Sequence, residues 1–419
     1  MHKRFKGEHM GKKLLVAQSG GPTAAINATL AGIIEAAIKN PEVSDVLGAR
    51  YGIQGVLREQ FLNLSGINQI EEMLDTLAVT PAAALGSCRF KLKDPAQDPS
   101  EFEELIRIFQ KHDIGYFIYI GGNDSMDTVW KLSDYIKEHH IPDIVVVGAP
   151  KTIDNDLFGI DHCPGFGSAA KYIATSISEL ERELEVYDTP YVIIVEMMGR
   201  NAGWLTAAAA LAENANSTVP YLIYLEERPF DLNDFISDLR GELAVGKDVI
   251  VAISEGIRDR SGKMICDYAD RDQTKDAFGH TIATGAGKVL ENAVRNNIGC
   301  KVRYIELNLL QRCAGHLLSQ TDITESRQLG RNAVHLAVSG QNGMMSTLTR
   351  TSNHPYAVRY GAADIADIAD QEKKVPDSWI NSEGNGVTDD MIEYLRPLVQ
   401  GEHSCEFENG IPKYVVFDK

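Results

Sequence analysis

Short apolar runs recur along the chain, and each is followed by a glycine-rich or polar loop and then by a segment with helical spacing. The clearest runs are four or five residues long and occupy residues 14–17, 116–120, 144–147, 192–195 and 249–253. Continuous apolar runs of this length are typical of strands that are buried on both faces. Their alternation with helical segments predicts an α/β protein with mainly parallel sheets.

The loops that follow these runs carry most of the candidate chemistry. In parallel α/β sheets, ligands bind beyond the carboxyl ends of the strands, and all of these loops lie at that edge. They are SGGPTAAIN at residues 19–27, GGNDSMDT at 121–128, PKTIDND at 150–156, MGRNAGW at 198–204 and SEG at 254–256. Residues 91–100 and 375–387 instead look like surface excursions, and residues 331–419 carry no motif to which we assign a role.

Composition and charge exclude several classes of partner. The chain has 419 residues, which predicts two or three domains, and a formal charge of −18 at pH 7. A field of that sign repels nucleic acid and anionic lipid, so local donors must hold any bound phosphate. The six cysteines form no CxxC pair. No apolar stretch approaches the ~20 residues that span a bilayer. We therefore expect a cytoplasmic protein with no nucleic-acid or membrane partner.

Two of the glycine loops could bind phosphate and metal. Gly20 and Gly21 lack a Cβ, so their backbone N–H groups and the following helix could face an anion, although a tight strand-to-helix turn explains them equally well. Asn123 and Asp124 follow a second glycine pair. Their oxygens suit Mg²⁺ that also touches a phosphate, and the alternative is helix capping.

The PKTIDND loop is the sharpest local signal. Asp154 and Asp156 stand two residues apart, beside Lys151 and Thr152, at the end of a strand. A carboxylate that accepts a hydroxyl proton, next to a lysine that neutralises a moving phosphate, is what phosphoryl transfer requires. A solvated turn rich in Asx residues would explain Asn155 but not Lys151.

Further candidates lie in the later loops. Arg200 occurs in MGRNAGW, Glu255 in SEG could accept sugar hydroxyls, and Arg303 and Arg312 lie nine residues apart. Arginine binds a sugar phosphate well because its planar fork is bidentate. Any one of these arginines is more often a surface ion pair, so the functional interpretation depends on several of them lying together at strand ends.

Taken in order, eight motifs closely resemble the phosphofructokinase family between about residues 13 and 330. They are SGGPTAAIN, YGIQG (51–55), GSCRF (86–90), GGNDS, PKTIDND, VEMMGRNAG, SEG and VRY…LLQR. The resemblance implies two Rossmann-like three-layer lobes with mainly parallel sheets. It implies a phosphate-donor lobe of residues 11–164 plus about 313–385, and a fructose 6-phosphate lobe of residues 165–312 plus about 386–419.

Two positions indicate which phosphate donor the chain uses. ATP-dependent members typically have GGDGS and PGTIDND, and this chain has Asp124 and Lys151 where those motifs have a glycine. A negative charge ~4 Å from a nucleotide's α-phosphate would repel it by about 4 kcal/mol at an effective dielectric of roughly 20. Lys151 would supply a cation to pyrophosphate. The chain therefore resembles the pyrophosphate-dependent branch, which implies reversible phosphorylation of fructose 6-phosphate to fructose 1,6-bisphosphate with Mg²⁺ as cofactor.

The resemblance also implies a role for each matching residue. The pyrophosphate-binding residues would be Gly20, Gly21, Arg89 and Lys151, and Asn123 and Asp156 would bind the metal. The catalytic residues would be Asp154, as the general base, with Lys151 and Asp124. The residues that bind fructose 6-phosphate would be Thr152, Ile153, Asp154, Met198, Gly199, Arg200, Glu255, Arg303 and Arg312. Arg303 would reach across from a neighbouring subunit.

The chain departs from the family pattern at several positions. Asn123 stands where the family has a metal-binding Asp, and Tyr191 where bacterial ATP enzymes have a second cross-subunit arginine. Ala31 and Glu35 stand where allosterically regulated members have arginines for an anionic effector, so we expect a non-allosteric enzyme. Because Arg303 would reach across from a neighbouring subunit, we also expect a homodimer or homotetramer. The alternatives are an ATP-dependent 6-phosphofructokinase, a catalytically idle regulatory subunit that binds sugar phosphate, and a related kinase acting on lipid or NAD.

Overall fold

The computed structural model describes residues 11–66, 71–213, 217–246, 248–269, 285–369, 371–403 and 405–417. The strands are β1 (Lys12–Gln18), β2 (Val43–Ala49), β3 (Phe61–Asn63), β4 (Ile114–Gly121), β5 (Val145–Pro150), β6 (Tyr191–Met197), β7 (Tyr221–Tyr224), β8 (Asp248–Ser254), β9 (Lys301–Glu306), β10 (Leu318–Ser319), β11 (Met344–Asn353), β12 (Tyr356–Asp364), β13 (Glu402–His403), β14 (Phe407–Glu408) and β15 (Ile411–Pro412). The α-helices are α1 (Ile26–Ile38), α2 (Gly52–Leu57), α3 (Glu71–Ala78), α4 (Ser100–Lys111), α5 (Asn123–Glu138), α6 (Phe166–Leu184), α7 (Trp204–Ala207), α8 (Leu232–Val245), α9 (Ala286–Asn297), α10 (Leu310–Cys313), α11 (Gln320–Val338) and α12 (Asp389–Leu395). Within these ranges, no helix is both long enough and apolar enough to cross a bilayer.

The first lobe is built on a seven-stranded sheet in the order β12-β11-β5-β4-β1-β2-β3. The five strands from β11 to β2 run parallel, and β12 and β3 are antiparallel edges. Leu14 and Val16 of β1 pack against α1 and α11 on one face, whereas Leu15 packs against α4 and α5 on the other. Because both faces are covered, β1 reads in the sequence as one continuous apolar run.

The second lobe is built on a four-stranded parallel sheet in the order β7-β8-β6-β9. Every residue of β6 and β8 is buried. The predicted α/β fold, with two lobes and mainly parallel sheets, is therefore confirmed.

Two glycines allow α1 and α11 to pack closely behind the first sheet. A Cβ at Gly32 would lie 1.9 Å from the carbonyl oxygen of Arg327, and a Cβ at Gly330 would lie 2.2 Å from that of Thr29. No side chain larger than hydrogen fits at such distances. The crossing is therefore a backbone-to-backbone contact, and α1 begins at Ile26, within the last two residues of the SGGPTAAIN motif.

The last part of the chain packs against both lobes. Tyr394 and Leu398 are buried in the core of the second lobe, whereas Cys405 is buried in the core of the first. Strand β13 pairs with β10, directly before α11. The lobe boundaries stay a prediction, but these contacts do not match the assignment of all of residues 386–419 to a single lobe.

Candidate active site

A cavity of about 860 Å³ opens at the carboxyl ends of both sheets. It is lined by loops that follow β1, β4 and β5 in the first lobe and β6 and β8 in the second. The predicted site residues that line it are Gly20, Gly21, Arg89, Asn123, Asp124, Lys151, Thr152, Ile153, Asp154, Asp156, Met198, Arg200 and Arg312. The topology has brought together predicted site residues that are up to 292 positions apart, from Gly20 to Arg312. Gly199, Glu255 and Arg303 do not contribute to this lining, although each is among the residues described.

The glycine loop after β1 differs from its predicted role in one respect. Gly20 has φ +77°, a left-handed conformation that favours glycine. Its N–H donates to the carbonyl of Cys88 at 3.1 Å, and its carbonyl accepts from the Ser87 hydroxyl at 2.6 Å. In this conformation the Gly20 N–H is therefore directed at the backbone of Cys88, and the assignment of Gly20 to pyrophosphate binding stays a prediction. Gly20 shapes the turn, and Gly21 lies in the cavity wall beside it.

Lys151 lies in the part of the cavity where pyrophosphate is predicted to bind, which we call the donor end. Its side chain is 2% exposed, and its Nζ donates to the carbonyl of Gly21 at 2.5 Å. Burial lowers the pKa of this ammonium to about 8, against the opposing effect of Asp154. A positive charge is thus held between the glycine loop and the carboxylate that follows it in PKTIDND.

Two arginines border the same loop. The Nη1 atom of Arg312 lies 2.9 Å from the point where a Cβ on Gly21 would stand. Burial lowers the pKa of Arg312, and the charge of Arg89 lowers it further. We predicted that Arg312 binds the 6-phosphate of fructose 6-phosphate. In this structure its side chain lies against the glycine loop after β1. The cations of the two predicted phosphate sites are close neighbours.

The carboxylates of PKTIDND are close enough to influence each other. The backbone N–H of Asp154 donates to the Thr152 hydroxyl at 3.1 Å. Burial raises the pKa of Asp154, while Arg200 and then Lys151 oppose the shift. Burial also raises the pKa of Asp156 to about 7, and the charge of Asp154 adds to this effect. Desolvation and like charge therefore act on one site, which is typical of catalytic carboxylates.

Asn123 and Asp156 form a pair that suits a hard cation. Asn123 Nδ2 donates to Asp156 Oδ2 at 2.9 Å, while the buried Oδ1 of Asn123 has no hydrogen-bond partner. The part of the chain that the structure describes contains no cluster of three or more His, Cys, Asp or Glu residues able to hold a metal. An amide oxygen and one carboxylate fit Mg²⁺, which keeps most of its ligands from water and substrate phosphate.

The loop after β6 lines the part of the cavity where fructose 6-phosphate is predicted to bind, which we call the acceptor end. Gly199 and Arg200 both have positive φ, of 144° and 48°, and a Cβ on Gly199 would lie 2.6 Å from the carbonyl of Ala202. Glu255 lies behind this loop and accepts from the backbone N–H of Arg200 at 3.2 Å. Burial raises the pKa of Glu255 to about 8, and Asp154 adds to the shift. In this conformation Glu255 supports the loop instead of facing the cavity.

Arg303 lies away from the cavity, exposed on β9 at the edge of the second sheet. It is hydrogen-bonded to the side chain of Tyr191, whose pKa burial raises and Arg303 lowers. The ammonium of Lys301 lies 3.5 Å from the ring centre of Tyr187 and 3.8 Å from that of Tyr191. Tyr191, which the family comparison singled out, is thus part of a cationic and aromatic cluster on an exposed edge.

Comparison with known proteins agrees with this geometry. A family model described as "Phosphofructokinase" matches residues 13–337. The chain belongs to the phosphofructokinase family. It is 42% identical over 406 residues to the pyrophosphate--fructose 6-phosphate 1-phosphotransferase of Xanthomonas campestris, with 96% of this chain and 95% of the relative covered. The relative of that name from Halomonas elongata is 39% identical over 402 residues, with 95% and 94% covered.

Solved structures give the same result. A pyrophosphate-dependent phosphofructokinase from Nitrosospira multiformis superposes with a TM-score of 0.86 at 36% identity, with 97% of this chain and 96% of that chain covered. The predicted phosphofructokinase fold and the predicted resemblance to the pyrophosphate-dependent branch are therefore confirmed.

In this member of the family, the cavity also contains residues that the motifs did not reveal. Lys91, Arg258, Lys263 and Glu372 line it. Arg258 stands only two residues after SEG, so its neighbourhood was a usable signal. Glu372 lies in the region to which we assigned no role, and its Oε1 accepts from the side chain of Asn201 at 3.0 Å.

Proposed function

We propose that this chain transfers a phosphoryl group reversibly between pyrophosphate and the 1-hydroxyl of fructose 6-phosphate, giving fructose 1,6-bisphosphate and phosphate. The observation that carries the proposal is the position of Lys151. Its buried ammonium lies between the Gly21 carbonyl and the charge of Asp154, where a phosphoryl group would pass from donor to acceptor. The names of the relatives agree with this activity.

Asp154 is the proposed general base. Its carboxylate takes the proton of the 1-hydroxyl as that oxygen forms a bond to the terminal phosphorus of pyrophosphate. The bond from that phosphorus to the bridging oxygen breaks, and phosphate leaves. In the reverse direction Asp154 returns the proton. Arg200 and then Lys151 oppose the rise that burial causes in the pKa of Asp154 and so favour the ionised carboxylate, and Lys151 also stabilises charge on the group in transfer.

The choice of donor follows from Asp124 and Lys151. Asp124 lies in the first turn of α5 and lines the cavity, where its charge would repel a nucleotide's α-phosphate. Lys151 gives pyrophosphate a cation in place of the contacts an adenosine would make. Together they favour the smaller donor.

Asn123 and Asp156 would hold Mg²⁺ through the free Oδ1 of the amide and a carboxylate oxygen. When bound there, the ion would neutralise charge on the phosphates of the donor. Asp124 is close enough in sequence to share this role through water.

The acceptor would lie against Met198 and Arg200, with Arg312 near its phosphate. We propose that Arg303 completes this site from a second copy of the chain, in a homodimer or homotetramer, since it is exposed and does not line its own cavity.

The enzyme would be non-allosteric. The carboxylate of Glu35 pairs with Arg331 at 2.7 Å and with Arg327 at 3.1 Å, so these cations are already neutralised. We place it in the cytoplasm, because the six cysteines of the sequence form no CxxC pair.

Formation of fructose 1,6-bisphosphate, measured with Mg²⁺ and with pyrophosphate or ATP as parallel donors, tests the proposal. Activity with pyrophosphate alone is the expected result, and activity with ATP alone would overturn the donor assignment. The double variant Asp124→Gly, Lys151→Gly should lose activity with pyrophosphate. No activity with either donor would favour the regulatory-subunit alternative.

A further inference from the structure

A short segment of the unassigned C-terminal region lines one side of the cavity and connects the two lobes by hydrogen bonds. We call residues 371–375 the strap. The backbone N–H of Lys373 donates to the carbonyl of Asp156 at 2.8 Å, and its carbonyl accepts from Trp204 Nε1, also at 2.8 Å. The N–H of Val375 donates to Glu227 at 3.0 Å. The strap is therefore hydrogen-bonded to the PKTIDND loop of the first lobe, and to α7 and the loop after β7 in the second lobe.

The side chain of Lys373 packs against residues 155–161, which include the end of the PKTIDND loop. Its Nζ donates to the carbonyls of Asp161 at 2.7 Å and Ile160 at 3.3 Å, and to the side-chain oxygen of Asn155 at 3.3 Å. One ammonium thus joins the two ends of the segment from residue 155 to residue 161. Burial lowers its pKa, which agrees with its position beneath the loop.

Asn155 is the residue through which Lys373 reaches the chemistry. It stands between Asp154 and Asp156, is 0% exposed and has φ +56°. Left-handed backbone is unusual for a residue other than glycine, so surrounding contacts must hold it. Besides Lys373, the N–H of Cys163 donates to Asn155 Oδ1 at 2.9 Å, and Asn155 Nδ2 is bonded to the Tyr394 hydroxyl at 2.9 Å.

A buried ammonium is costly unless its donors are satisfied, and those of Lys373 are satisfied mainly by carbonyls of this one loop. We propose that Lys373 is a positioning residue for phosphoryl transfer, which holds the loop bearing Asp154 and Asp156 through Asn155 and the carbonyls of residues 160 and 161. This inference rests on the proposed function only in assigning the chemical step. The contact itself is independent of the donor.

The first test compares Lys373→Met with Lys374→Met, which removes the same charge from the exposed neighbouring residue. Displacement of a reacting group by about 1 Å can cost about 100-fold in rate, so we expect K373M to lower kcat about 100-fold while leaving both KM values within about threefold. K374M should match the parent. A K373M enzyme whose kcat stays within about threefold, or one whose KM values rise as much as kcat falls, would overturn the proposal.

A second variant separates the contact from the backbone shape. Asn155→Gly tolerates the left-handed conformation but lacks the side chain, so it should lower kcat like K373M. Because both residues act on one loop, the double variant should be no worse than the worse single variant within about threefold. Multiplied effects would contradict a shared role. If K373M does not fold, N155G carries the test alone, and unchanged kcat in N155G would then overturn the inference.

Hydrogen–deuterium exchange distinguishes failure of this inference from failure of the proposed function. Amides of residues 154–163 should exchange faster in K373M than in K374M, whichever donor the enzyme uses. An unchanged exchange rate in that segment overturns the positioning role even if the parent enzyme is active with pyrophosphate. Faster exchange in an enzyme inactive with pyrophosphate would support the contact while rejecting the donor.

Discussion

The donor end and the acceptor end of the cavity differ in how completely one chain builds them. At the donor end, Lys151 is buried, bonded to the glycine loop and influenced by both carboxylates of PKTIDND. At the acceptor end, Glu255 lies behind the loop and Arg303 lies outside the cavity altogether. The groups proposed to act on the transferring phosphoryl are thus fixed within one chain, whereas two residues predicted to bind the sugar phosphate, Glu255 and Arg303, do not line the cavity.

This difference predicts how each end should respond to substitution. Interactions made with the group in transfer should appear in kcat, because they are strongest in the transition state. Interactions with the distant phosphate of the acceptor should appear in KM. Substitutions of Asp154, Lys151 and Arg303 test this contrast.

Asp154→Asn should have the largest effect, a fall in kcat of about 10³-fold with little change in KM for either substrate. The amide keeps the shape of the side chain but cannot accept the hydroxyl proton, and general bases contribute 10²–10⁴-fold or so. Steady-state rates against Asp143→Asn, an exposed carboxylate paired with Lys12, provide the comparison. A loss of less than about tenfold would mean that another group serves as the base.

Lys151→Met should lower kcat about 100-fold, the usual scale for removing one group that stabilises charge in a transition state. KM for pyrophosphate should rise as well, whereas KM for fructose 6-phosphate should not. Lys137→Met, on the exposed end of α5, is the matched control. An effect confined to KM for pyrophosphate would assign Lys151 to binding alone.

Arg303→Ala should raise KM for fructose 6-phosphate about 30-fold, within the range for loss of a charged hydrogen bond, and leave KM for pyrophosphate unchanged. Arg240→Ala, which removes an exposed arginine of the same lobe, should do neither. A rise in both KM values would indicate general damage to the second lobe.

Mixing provides a separate check on whether Arg303 acts across subunits. When R303A and D154N chains are unfolded and refolded together, a hybrid can contain one site with both Asp154 and Arg303. Activity at low fructose 6-phosphate should therefore recover above that of either variant alone. Hybrids that form without any recovery would place Arg303 in the site of its own chain.

The pH dependence should give the smallest effect. Burial lowers the pKa of Lys151 from its ordinary value of 10.5 to about 8, so the charge is present below pH 8 and is lost above it. The ratio kcat/KM for pyrophosphate reports ionisations of the free enzyme. Relative to its value well below pH 8, it should fall about twofold at pH 8 and about tenfold at pH 9. Lys151→Arg should remove this alkaline limb, because arginine stays protonated. A limb that persists in K151R would belong to another group.

The sequence was sufficient to predict most of the cavity wall, because parallel strands place their following loops at one edge. Glycine pairs and charged residues directly after apolar runs therefore predicted Asn123, Lys151 and Asp154 correctly as neighbours. The fold was predictable for the same reason, since strands covered on both faces leave continuous apolar runs.

What the sequence could not give was the direction in which each group points. The N–H of Gly20 turns to Cys88, and Arg312 lies against Gly21, because of loop conformations that no local pattern encodes. Residues 375–387 were predicted as a surface excursion, yet Val375 and Ile380 are 4% exposed within the core of the second lobe. Lys373 carries no motif, since two of its three partners are backbone carbonyls that any sequence supplies.

The glycine contact between α1 and α11 gives a remote position mechanical influence on the donor site. Gly32 lies six residues into α1, about 9 Å from its start at a rise of 1.5 Å per residue. A methyl group at Gly32 would push against the backbone of α11 with no flexible side chain to absorb the displacement. Helix α1 would then act as a stiff lever, and its near end at Ile26 lies five residues after Gly21. A mutation on the far side of the sheet would thus be felt as a shift of the loop where pyrophosphate is proposed to bind.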